Sequence, residues 1–162
     1  MNISIFPITP GFVAEIGDLD LGRPLAEEDL KIVRNAFATY AVLVFPAQDL
    51  TVDEHLAFAG NFGPLERTVE IALGRSKLRI GHEEIADVAN LSSDGKIWRE
   101  DARRRHLSMM GNRLALDSSF KAPSGYASLL YARSIAPVGG HTMFADLRSA
   151  GWTMSRPSFE TA

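Results

Sequence analysis

The side chains able to hold a metal or move a proton set the first limits on this chain. It has no cysteine, so a disulfide framework, a thiolate nucleophile, a zinc knuckle and an iron–sulfur cluster are excluded. Any metal must be held by histidine, aspartate or glutamate, the ligand set of non-haem iron or zinc. The histidines are His55, His82, His106 and His141. His82, in "GHEEIAD", lacks the i, i+4 histidine partner of a helical zinc motif. The carboxylate of interest is Asp117 in "GNRLALDSSF", where a "DSSF" turn follows an apolar "RLAL" run. Taken alone, that turn is chemically ordinary.

The elements that must position these groups fit one domain. With 162 residues, 46% hydrophobic and 23% charged, the chain has the balance of a globular fold. A formal charge of −3 argues against broad attraction to nucleic acid or an anionic membrane. The run Arg103-Arg104-Arg105 is read as a solvated face. The beginning, "MNISIFPITPGF", lacks the basic and apolar blocks of a signal peptide, and no run reaches transmembrane length. A cytoplasmic location is expected.

"FPITPGFVAEIGDLDLGRPL" alternates apolar residues with turn formers, predicting one or two short strands and then a loop. "AEEDLKIVRNAFATY" predicts a helix with Leu30, Val33 and Phe37 at helical spacing. Glu27, Glu28 and Asp29 lie at its start, where the helix dipole favours them. "AVLVFP" suits a buried strand ended by Pro46. Thr51 and Glu54 have capping-box spacing at the head of a second helix. Its packing face is read as Leu56, Ala59 and Phe62, with Gly63-Pro64 as its stop and His55 as a surface or packing residue. From about Thr68 the chain changes to strand-like runs such as "KLRIGH", "IADVANLSSDGK", "SLLYARSIAP" and "HTMFADL", with "SSDG" and "PVGG" as turns. Without an evident linker, front and rear are expected to share one core.

Several of these pieces coincide in order and spacing with one family. "FGPLE", "EIADVANLSSDGK", "GNRLxxDSSFK", "SLLYAR" and "PVGGHTMFADLRSA" give a chain that resembles the Fe(II)/2-oxoglutarate-dependent taurine/2,4-dichlorophenoxyacetate dioxygenases from about Ile5 to Ala150. The resemblance implies an α+β fold: the N-terminal part of a double-stranded β-helix (jelly roll), incomplete, with flanking N-terminal helices. It also implies Fe(II) held by two histidines and a carboxylate, 2-oxoglutarate as co-substrate, and a small organic acid as primary substrate. Asp117 matches the carboxylate of the family's H-x-D motif. Asn112 matches a position lining the substrate pocket. Thr142 matches the threonine that hydrogen-bonds a 2-oxoglutarate carboxylate. The Gly139-Gly140 pair before it is read as a structural turn.

The chain departs from that pattern at one telling place. Where the family usually reads "LWHSD" or "LWHTD", this chain reads "LALD", Leu114 to Asp117, and the ligand histidine is gone. Leu116 and Ala115 offer no lone pair. The second ligand histidine and the arginine for the distal carboxylate of 2-oxoglutarate lie, in the family, further on than Ala162. Of the possible substitutes, His106 lies in an irregular stretch upstream. His141 neighbours Thr142 and would face away from it in a strand.

A coding string for Leu-Trp-His-Ser-Asp, CTGTGGCACTCGGAC, becomes CTGGCACTCGAC on losing TG and then G. The shortened string encodes Leu-Ala-Leu-Asp. Read two bases later, suitable codons for the tail from Gly151 spell a sequence like the helix that the family places there. The expectation is therefore residues 1–150 as the N-terminal portion of a dioxygenase domain, truncated, and 151–162 as an out-of-frame tail. The chain as written is expected to be catalytically incompetent. The alternative reading is a non-catalytic binding or oligomerisation module, such as a homo-oligomer.

Overall fold

The computed structural model describes residues 3–67, 80–89, 91, 95–97, 125–135, 137–139 and 141–149. The chain divides into two compact units, Met1–Asn61 with Leu130–Ala162, and Phe62–Leu129. In the first unit, β1 (Ser4–Thr9) and β2 (Val13–Gly17) form an antiparallel hairpin. Its turn follows from composition. Pro10 fixes one central position, Gly11 takes φ +66° at the next, and the Phe12 N–H donates to the Thr9 carbonyl at 3.1 Å. Pro7 is tolerated because β1 is an outer strand.

Helix α1 (Glu27–Tyr40) follows, and β3 (Val42–Val44) then joins β2 in parallel, giving the strand order β1-β2-β3. Alternation along β2 turns Ala14 and Ile16 inward, and α1 packs on that sheet with Leu30, Val33 and Ala36 buried. The helical spacing was therefore right, with one correction: Ala36 completes the buried stripe, and Phe37 lies half-buried at its edge. The acidic first turn of α1 is as expected.

Helix α2 (Val52–Gly60) begins with the expected capping box. The Glu54 N–H donates to Thr51 Oγ1 at 3.2 Å, and the Thr51 N–H donates to Glu54 Oε2 at 2.7 Å. Its buried residue is Phe58, while Leu56, Ala59 and Phe62 are only half-buried. The cause is aromatic. The Phe45 ring, just after β3, meets Phe58 edge-on with centroids 5.6 Å apart. Asn61 closes the helix before Gly63, its side-chain amide donating to the carbonyls of Ala57 and Phe58.

Gln48 ties the loop after β2 to the loop after β3. Its Oε1 accepts from the Leu21 N–H at 2.9 Å, and its Nε2 donates to the carbonyls of Leu19 and Pro46. Leu19, Leu21 and Leu50 are buried beside it. Among the described residues, no helix is long and apolar enough to cross a membrane.

The rear differs from its sequence reading. Of the "SSDG" turn only Gly95 is described, at φ +79°, and the flanking Leu91 and Ile97 form an isolated antiparallel bridge. "SLLYARSIAP" and "HTMFADL" form no strand among the described residues. A strand needs a paired neighbour to satisfy its backbone, and alternation in sequence supplies none.

Candidate functional site

The segment that carries Thr142 is held at both ends by the N-terminal elements. Upstream of it, the Tyr131 hydroxyl accepts from the Leu50 N–H at 3.0 Å and donates to the Gln48 carbonyl at 3.4 Å. Downstream, Asp146 opens a helical turn at residues 147–149. Asp146 Oδ1 accepts from the backbone N–H of Arg148 at 3.0 Å and from its Nε at 3.1 Å, while Oδ2 accepts from the Ser149 hydroxyl at 2.7 Å. The Ser149 hydroxyl lowers the Asp146 pKa most, desolvation opposes it, and the Arg148 hydrogen bonds and charge add to the lowering, which prevails. The Arg148 guanidinium then reaches the Gly11 carbonyl at 3.0 Å and the Ala38 carbonyl at 3.4 Å.

Between these holds, Thr142 and His141 are both exposed on a segment without strand geometry. The expectation that they point to opposite faces of a strand therefore does not describe this segment. Gly139, at φ +78°, supports the turn read in "PVGG". His55 lies half-buried on α2 with its ring 5.7 Å from that of Tyr131, as a packing histidine should. Burial lowers its pKa, because the charged form would lose hydration.

Asp117, Asn112, His106 and the run 103–105 lie outside the described residues. Of the sequence-predicted site residues, the structure thus places Thr142. Among the described residues, no group of three or more histidine, aspartate or glutamate side chains could hold a metal ion. No reaction step through iron follows from the described residues, which do not include Asp117. A shallow depression of about 370 Å3 lined by Ile5, Ile32, Asn35, Ala36, Thr39 and Tyr40 contains none of the predicted site residues. The holding residues Gln48, Tyr131 and Arg148 escaped sequence reasoning. Tyr131 and Arg148 were visible only as letters within "SLLYAR" and "FADLRSA", with nothing to indicate their partners.

Comparison with known proteins gives this arrangement a lineage. The family described as "Taurine catabolism dioxygenase TauD, TfdA family" matches residues 4–160. The chain belongs to that family. It is 36% identical over 150 residues to the alpha-ketoglutarate-dependent 2,4-dichlorophenoxyacetate dioxygenase of Cupriavidus pinatubonensis, covering 93% of this chain and 52% of that protein. It is 37% identical over 150 residues to the protein of the same name from a Burkholderia species, covering 93% of this chain and 50% of that one. The crystal structure of AAD-2 in complex with Mn(II) and N-oxalylglycine superposes with a TM-score of 0.60 at 34% identity, covering 75% of this chain and 38% of that one. The chain thus spans about half the length of the curated relatives it matches.

Proposed function

We propose that this chain is a portion of an Fe(II)- and 2-oxoglutarate-dependent dioxygenase that oxidises a small organic acid in the cytoplasm, built on a jelly roll. The observation that carries the reading is the match of 36% identity along 93% of the chain, joined to a TM-score of 0.60 with a solved relative. Asp117 is the proposed metal carboxylate, Thr142 the hydrogen-bond donor to a 2-oxoglutarate carboxylate, and Asn112 a residue of the substrate pocket.

The chain as written is proposed not to turn over. Leu116 and Ala115 supply no replacement for the histidine of the H-x-D motif, and a site short of that ligand holds Fe(II) weakly in water. The test is succinate release from 2-oxoglutarate with Fe(II) and 2,4-dichlorophenoxyacetate. It compares the 162-residue chain with a gene corrected to "LWHSD" and read in the restored frame beyond Ala150. The expected result is release by the corrected protein and none by the chain as written. Release by the chain as written contradicts incompetence. Failure of the corrected protein to decarboxylate 2-oxoglutarate with any small organic acid contradicts the dioxygenase reading.

A further inference from the structure

We propose that Arg148 is a positioning residue that fixes the segment carrying Thr142 against the C-terminal end of α1 and the β1–β2 turn. Helix α1 has no basic residue in its last turn, although the terminal carbonyls there lack intrahelical donors and carry the negative end of the dipole. The Ala41 N–H satisfies the Phe37 carbonyl at 2.9 Å. The next carbonyl, of Ala38, accepts from Arg148 Nη1, so a cation from 110 residues away does the work of a C-terminal lysine or arginine.

The second guanidinium arm donates to Gly11, in the turn whose neighbour Phe12 accepts from the first residue of β3 at 3.1 Å. A planar fork can bridge two carbonyls on different elements, which the single ammonium of lysine does less well. Asp146 holds the same guanidinium from the other side through Nε and also accepts from the Arg148 N–H, so side chain and backbone are fixed together. The local turn at residues 146–149 is thereby locked to the N-terminal sheet and helix. Thr142 stands four residues before Asp146 on an exposed stretch, and its placement follows from that lock. The consequence for 2-oxoglutarate rests on the function proposed above.

Hydrogen exchange and the Thr142 methyl resonance of the 162-residue chain test this directly. In Arg148→Ala, the amide of residue 148, which donates to Asp146 Oδ1, should exchange at least ~10-fold faster, while those of α1 and β2 change by less than ~2-fold. The Thr142 methyl should move toward its random-coil position and return part of the way in Arg148→Lys. Unchanged exchange at residue 148 together with an unmoved Thr142 methyl resonance overturns the proposal. So does an equal loss of protection in α1 and β2, which would make Arg148 a general stabiliser. Adding N-oxalylglycine separates this claim from the functional one. A wild-type Thr142 methyl that responds, and needs ~10-fold more compound in Arg148→Ala, supports both. If the wild type does not respond, the 2-oxoglutarate role of Thr142 in this chain falls, and the exchange data decide the role of Arg148 alone.

Discussion

Residues 4–61 and residues 130–149 belong to the same compact unit, yet only the first buries an apolar core, while leaving Phe6 and Ile8 exposed on its outer strand. In the first stretch, Ala14, Ile16, Leu30, Val33 and Phe58 are buried by partners that the same stretch provides. In the second, Val138 is 88% exposed and Met143 85%, with Leu130, Ile135 and Phe144 exposed as well. Burying one such side chain contributes about 1.5–3 kcal/mol, so the second stretch forgoes most of what its composition offers. It is held instead by hydrogen bonds from Tyr131 and Arg148. The contrast teaches that a hairpin, a crossover helix and a third strand make a core by themselves, whereas strand-like sequence without a paired neighbour contributes little.

Paired substitutions give the largest effect that could break this comparison. Ile16→Ala should cost about 2–5 kcal/mol through lost burial and a residual cavity. Met143→Ala should stay within about 0.5 kcal/mol, as for a surface position. Urea denaturation of both variants checks the pair, and equal costs would refute the division. A smaller effect sharpens the account of the N-terminal stretch. Thr51→Ala removes one half of the capping box and should cost about 1 kcal/mol. It should also bring Glu54 part of the way back toward its ordinary pKa, since only the hydroxyl is removed and the backbone N–H of residue 51 remains. The Thr51 backbone N–H, and next its hydroxyl, now hold that carboxyl low despite slight desolvation.

Much of the N-terminal fold was legible because its causes are local. The acidic first turn of α1 and the Thr51–Glu54 box both act within a few residues. The exchange of Phe37 for Ala36, and of the Leu56 face for Phe58, came from neighbours that a helical pattern does not specify. Long-range ties left no local trace: Arg148 meets a carbonyl 137 residues away, and Tyr131 meets an amide 81 residues away. The candidate site was legible only as an ordered set of short motifs. A single carboxylate such as Asp117, or a threonine such as Thr142, has no distinctive chemistry when taken alone.

The smallest expected effect concerns pH. His55 has a folded pKa below its usual 6.5, so above that pH both states are neutral and the contribution to stability is complete. As pH falls below about 6.5, the unfolded chain takes up the proton first, and stability is lost until the folded pKa is passed. Melting between pH 7.5 and 5.5 should therefore decline in the wild type and decline less in His55→Gln. Glu54 and Asp146 also have lowered pKa values, and their contributions are lost only at more acid pH, from their usual 4.5 and 3.8 downward. An equal decline in both proteins would contradict the reading of His55 as a desolvated packing residue.

Asp117 is proposed to belong to an iron site whose histidine was lost from the reading frame. Sequencing the gene across the codons for residues 110–162 and beyond tests it most directly. The expected result is a restored "LWHSD" or "LWHTD" and an open frame continuing past Ala150. A read that confirms "LALD" in an intact frame, with the same "GWTMSRPSFETA" tail, would contradict the frame loss and leave the chain a family member without the means to bind its metal.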